Sequence, residues 1–144
     1  MTETTNKPPV WFWIISGLAL LWNLGGVSGF FMQVTMTPEV MAELSDAQRA
    51  MMVALPKWMT LAFGVAVFGG VLGCIMLLLR KSIAIWFFII SLIAVLAQQC
   101  YWWILSDVGK SLGGFDLAMT IMIPIIAVFL IWFARKKTAK GWLV

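Results

Sequence analysis

The chain has 144 residues, 62% of them hydrophobic and 11% charged, with ten Lys or Arg against six Asp or Glu and a net charge of +4. A soluble domain covers itself with a surface that is about 25–35% charged, so this composition, with its mean hydropathy of +0.99, points to a bilayer as the solvent. There is no His, and Cys74 and Cys100 stand apart in apolar runs; the expectation is no metal, no cofactor and no enzymatic activity, since zinc, haem and triad chemistry all lack their residues.

Four apolar stretches, 10–32, 58–79, 82–105 and 115–134, reach the roughly 20 residues that a helix needs to cross a hydrocarbon core. Lipid offers no partner to an unpaired backbone group, and no run alternates as a barrel strand would, so each is expected to be helical. The predicted fold is an all-α membrane protein, a single domain over 1–144 built as a four-transmembrane-helix bundle. Lys7, the apolar run after it and the small residues Gly26-Val27-Ser28 also suit a cleaved signal peptide, but the run is too long for a signal core and is read as the first span. Within that span Trp22 and Asn23 fall near the midplane. Ser16, Ala19, Asn23 and Gly26 share one helical face, and Gly25-x-x-x-Gly29 permits close helix approach.

Residues 33–57 form the sizeable stretch outside the spans. Thr37-Pro38-Glu39 reads as an N-cap, a first-turn Pro and a first-turn acid, and Ser45-Asp46-Ala47-Gln48 as a capping box, so two short helices should precede Pro56. Val40, Met41 and Leu44 give the first an apolar side, and Met51, Met52 and Leu55 the second. This amphipathic outer loop should lie on the membrane surface or over the bundle mouth, as a connector in the simpler reading and a lid in the other. The second span carries Gly69-x-x-x-Gly73, with Ala62, Ala66 and Gly70 on an adjacent strip, a surface for a neighbouring helix or for a homodimer. It ends at Arg80-Lys81, and so short a turn makes spans two and three an antiparallel hairpin.

The third span puts Ser91, Ala94, Gln98 and Tyr101 on one face, with Gln99 beside them, and ends in the break 106–114 with its glycines Gly109, Gly113 and Gly114. Pro124, in the middle of the fourth span, removes a backbone donor and should kink the helix, as a static bend or as a hinge. A basic tail, 135–144, follows. Cys74 and Cys100 are about 17 Å apart along the membrane normal at a rise of 1.5 Å per residue, too far for a disulfide.

Orientation follows from the basic residues. Lys7, Arg80, Lys81, Arg135, Lys136, Lys137 and Lys140 fall on one side, with Glu3 as the acid there; Arg49, Lys57 and Lys110 fall on the other, among Glu39, Glu43, Asp46, Asp107 and Asp116. Both termini and the Arg80-Lys81 turn are therefore expected to be cytoplasmic, and the positive charge is a topology signal rather than a nucleic-acid footprint. Trp11, Trp13, Trp86, Trp132 and Trp142 then mark the inner boundary, and Trp58, Tyr101, Trp102 and Trp103 the outer one.

Residues 11–23 align without a gap on residues 86–98, with seven of thirteen positions identical and Asn23 on Gln98. Spans two and four both end in a basic pair. Two hairpins in parallel repeat are one reading, and chance matching of apolar segments is the other. No ionisable residue lies inside any span, which disfavours pumps and ion-coupled carriers. The neutral polar residues that remain need partners, because a carboxamide left unpaired in hydrocarbon is costly. Either Asn23 and Gln98 bond to each other or to a neighbouring helix, or Trp22, Asn23, Gln98, Gln99 and Tyr101 line an outward pocket for a small neutral solute such as a sugar, with an indole face stacking on the ring.

Several stretches carry a resemblance across nearly the whole chain: residues 11–24 with Trp22-Asn23, QVTMTPE at 33–39, Ala47-Gln48-Arg49, Pro56-Lys57-Trp58, AFGVAVFGGVLGC at 62–74 and WFARKKTAKGWL at 132–143. In these the protein resembles a group of small bacterial four-span inner-membrane proteins, some labelled sugar transporters. The resemblance implies a bacterial inner-membrane location and four spans, and it carries over no binding residue. Two functions are expected on this basis. One is a passive carrier or binder of a small neutral solute, acting as a homodimer because four helices leave little room for alternating access. The other is a non-transporting accessory subunit of a larger membrane complex.

Overall fold

The computed structural model describes residues 7–54, 56–105 and 114–144, and the described residues form helices with no strand. In chain order these are α1 (Val10–Val34), α2 (Pro38–Glu43), α3 (Asp46–Ala54), α4 (Lys57–Leu78), α5 (Ala84–Cys100), continued by a π-helical turn at Tyr101–Leu105, and α6 (Gly114–Ala139). Four stretches are long and apolar enough to cross a membrane: Val10–Val34, Lys57–Leu78, Ala84–Ile104 and Leu117–Ala139. Leu18, Leu21, Leu61, Ile93, Ile104 and Ile125 all point outward and are well exposed. So much outward Leu and Ile is stable in contact with lipid and not in water. Leu55, Glu3 and residues 106–113 of the break expected over 106–114 lie outside the described residues, as do the side chains of Met51 and Asp116, and Gly114, expected in that break, opens α6 instead.

Both short helices start where the caps predict. The Thr37 hydroxyl accepts from the Val40 amide at 3.4 Å, with Pro38 in the first turn. Bonding to its own backbone amide, and then to Thr37, holds the Glu39 carboxyl below its ordinary range. Ser45 and Gln48 close a capping box, each side chain accepting from the other's amide, at 3.3 and 3.2 Å. Arg49 joins the two helices: its guanidinium donates to the carbonyls of Met41, Ala42 and Leu44 at the end of α2, and it pairs with Asp46 at 3.4 Å.

The long helices pack in the sequence α1, α4, α5, α6, with α4 in the middle. Glycine explains why α4 is central. On one side Gly64 faces Phe30, and Gly70 faces Asn23, of α1; on the other Gly69 faces Phe87 and Ser91, and Gly73 faces Phe88, of α5. A Cβ at Gly73 would stand 2.6 Å from the Phe88 ring, closer than real side chains approach. Small residues on both flanks let two helices come close, which is how packing is gained where lipid removes the hydrophobic drive between helices. Ser91 adds an interhelical bond, its hydroxyl donating to the Ala66 carbonyl at 2.6 Å.

Helices α1 and α6 meet at the end of the bundle where α1 starts and α6 finishes. There Phe12 stacks on Phe133 with centroids 5.7 Å apart, and Leu77, Phe88, Leu130 and Leu143 complete a buried cluster. The fourth helix is longer than the predicted span, running through the basic residues to Ala139. Lys137 explains the extension: the residue is only 3% exposed, and its ammonium lies 4.2 Å from the Trp11 ring centroid and 4.9 Å from that of Trp142. Cation–π contact lets a cation sit among aromatic rings. Past Gly141, at φ 76°, the chain turns back. Val144 donates its amide to the Arg80 carbonyl at 2.8 Å and accepts from Ser82 at 2.9 Å. Arg80 takes a left-handed conformation, φ 60°, and its Nε donates to the Trp142 carbonyl at 2.8 Å. The expected tail is thus part of the fold, strapped to the α4–α5 turn.

Candidate functional site

Away from the Phe12–Phe133 stack no extensive packing joins α1 to α6, and a wedge opens between them, backed by α4 and α5. It encloses a cavity of about 600 Å³, within the ordinary range for small-molecule sites. Its closed end is made by Phe88, Ile126 and Leu130, its back by Gly26, Ala66, Val67 and Gly70, and its other end by Phe63, Met119 and Trp102. No Asp, Glu, Lys or Arg lines it. Among the described residues no three His, Cys, Asp or Glu side chains come together as metal ligands.

Four of the five candidate solute residues, Trp22, Asn23, Gln98 and Gln99, reach this cavity. Their polar groups are committed to different degrees. Asn23 lies over Gly70, where a Cβ would stand 1.9 Å from its carboxamide oxygen. Its Nδ2 donates to the Ala19 carbonyl at 2.8 Å, the carbonyl one turn back, and to Cys74 Sγ at 3.4 Å. Asn23 therefore has partners in its own helix and in α4, and not in Gln98. Gln99 donates to the backbone carbonyl of Thr120. That carbonyl is the one a residue at 124 would normally bond, and Pro124 has no amide to offer, so Gln99 supplies the missing donor. Gln98 lines the cavity with no hydrogen bond from its carboxamide to any described residue.

Tyr101 does not line the cavity. It packs edge-on against Trp58, with centroids 5.5 Å apart, and Trp102 takes its place in the lining. Ordinary helical spacing accounts for the exchange: Phe88, Val95 and Trp102 stand seven residues apart, as do Ser91 and Gln98, and Trp102 is one turn beyond Gln98, so the lining face is centred on the side of Gln98 away from Ala94 and Tyr101. Trp102 was therefore legible in the helical spacing, and the choice of 94 and 101 over 95 and 102 missed it.

The glycine strips divide. Gly69 and Gly73 both face α5 within the bundle. In α1 the close approach falls on Gly26, where a Cβ would lie 3.0 Å from Val67, rather than on the predicted pair: a Cβ at Gly25 meets nothing within 4 Å, and one at Gly29 only brushes Phe63 at 3.8 Å. Gly25 lines the cavity at the α1 edge of the wedge. Cys74 and Cys100 are both free thiols. Comparison of the chain with protein-family models, with curated proteins and with solved structures finds no match, so the reading of the cavity rests on its own chemistry.

Proposed function

We propose that the protein binds, and passively carries, an uncharged solute in the wedge between α1 and α6. One observation carries the reading: a cavity of about 600 Å³ inside a bundle of membrane-spanning length, lined by four of the residues singled out for neutral solute binding and by no charged group. A charged ligand would have to enter hydrocarbon with no counter-charge, so neutrality is selected by the lining itself. In this reading the molecule lies in a bacterial inner membrane with both termini cytoplasmic. The cavity then spans the middle of the bilayer, from Met119 and Trp102 on the outer side to Phe88 and Leu130 on the inner, and α2 and α3 rest on the outer surface. Carriage by so few helices is proposed to use a homodimer.

The proposed parallel repeat fits this picture. Ser16 and Ala19 of α1 and Ser91 and Ala94 of α5, equated by the thirteen-residue match, are all buried. A two-fold relation would make α1–α6 repeat the α4–α5 pairing, and the wedge is where the second pairing stays open. Solute counterflow in proteoliposomes tests the function, using a panel of uncharged metabolites that includes sugars and comparing wild type with Gln98→Leu. Saturable exchange that is lost in the folded variant is expected. Flat traces for every solute, with wild type shown to be folded and inserted, would remove carriage.

A further inference from the structure

The lining offers few open hydrogen-bonding groups for the many hydroxyls of a sugar ring. The Asn23 and Gln99 amides and the Ser91 hydroxyl already donate to protein atoms, so Asn23 and Gln99 keep only their oxygens as acceptors, Trp22 and Trp102 offer one indole N–H each, and Gln98 is the lining carboxamide with neither its donor nor its acceptor engaged among the described residues. Each hydroxyl of a sugar brought in without a partner would carry its full desolvation cost. Around the one open carboxamide the surface is apolar: Ile123, Ile126, Ala127 and Leu130 of α6 face Leu21 and Val67. The polarity is also graded. Gln98 and Trp102 lie towards the end away from the termini, while Phe88 and Leu130 close the other end. On α6 the lining runs from Met119 to Leu130, about 16 Å at 1.5 Å per residue, which is roughly one leaflet of hydrocarbon.

The wall is open on one side. Leu21 and Gly25 of α1 and Ile123 of α6 line the cavity and are also exposed on the outer surface. They flank the gap that α1 and α6 leave above the Phe12–Phe133 contact, so the gap faces the lipid that surrounds the bundle. We infer that the ligand is an uncharged amphiphile with a single apolar chain and one small hydrogen-bonding head, such as a monoacylglycerol, which enters sideways from the bilayer between α1 and α6 and places its head at Gln98. The inference rests on the cavity-binding reading above and makes its uncharged solute a molecule drawn from the membrane.

The test uses the full chain in dioleoylphosphatidylcholine vesicles doped with a monoacylglycerol that carries a photoreactive diazirine in its acyl chain. Labelled peptides are mapped in wild type, Gly25→Phe and Gln98→Leu. A Cβ at Gly25 meets nothing within 4 Å, so a side chain can start there, and Gly25 lines the cavity at the α1 edge where a Phe ring is meant to obstruct entry. Adducts are expected on the α1 and α6 residues of the cavity, competed by unlabelled monoolein and reduced about tenfold in Gly25→Phe, an amount equal to one decade of affinity. Loss of the head contact in Gln98→Leu should cost about threefold, the size of one polar side-chain bond in a membrane. Labelling confined to lipid-facing residues, or cavity labelling that neither variant nor competitor changes, would overturn the inference. Saturable exchange of a water-soluble sugar without cavity labelling would overturn it too while leaving the cavity-binding function in place, and absence of both would remove both.

Discussion

Asn23 and Gly70 form a matched pair in which each residue explains the other. The carboxamide of Asn23 occupies the space in which a Cβ at Gly70 would stand, and from there it bonds to Ala19 and Cys74. Gly70→Ala must expel it, and overpacking of this kind costs about 1–3 kcal/mol. The thermal midpoint in detergent should therefore fall in Gly70→Ala, and much of the loss should return in Asn23→Ala/Gly70→Ala, where the clash is gone. A double variant as unstable as the sum of the singles would show that the two side chains do not share that space. The sequence made Asn23 legible as a residue in need of a partner, because polar groups stand out against an apolar helix. It did not reveal Cys74 as that partner, since helical spacing shows which residues share a face and not which face of another helix lies opposite.

At the scale of elements, Pro124 and Gln99 are coupled across two helices. Pro124 withdraws one donor from α6, and Gln99 of α5 supplies another to the same Thr120 carbonyl. Gln99→Leu should destabilise the wild-type bundle by about 0.6–2 kcal/mol, the range for polar bonds between membrane helices. In a Pro124→Ala background, where position 124 regains its amide, the same change should cost close to nothing. Equal costs in both backgrounds, measured by chemical or thermal unfolding, would separate the two residues. The C-terminal strap is a second element whose weight can be measured. Leu143 is buried in the cluster with Phe12 and Phe133, so Leu143→Ala should cost about 2–5 kcal/mol as a core truncation does. A midpoint unchanged from wild type would show that the strap adds nothing. Span positions were legible to within a few residues, because length and hydropathy alone determine them. The fate of 135–144 was not, because a run of basic residues reads as a solvated tail until the rings of Trp11, Phe133 and Trp142 are seen around Lys137.

For the whole molecule, the proposed function rests on helix order and the open α1–α6 gap. The structure brings Trp11 of α1 and Trp142 of the tail into contact, so the start of α1 and the end of the chain at Val144 lie at one end of the bundle. Reporter fusions at either end of the chain are expected to give the same, cytoplasmic signal, and opposite signals would contradict the topology. Four helices were legible from composition; the wedge was not, because it depends on which pairs stay unpacked, and the four helices of an apolar bundle look alike in hydropathy. The central claim is that this wedge holds an uncharged ligand. Native mass spectrometry of the protein released from the membrane in which it is made tests that claim directly, with wild type and Gly25→Phe compared side by side. A stoichiometric uncharged adduct is expected on wild type and is expected to be lost in Gly25→Phe folded to the same midpoint. Bare protein in both, or the same adduct on both, would contradict it.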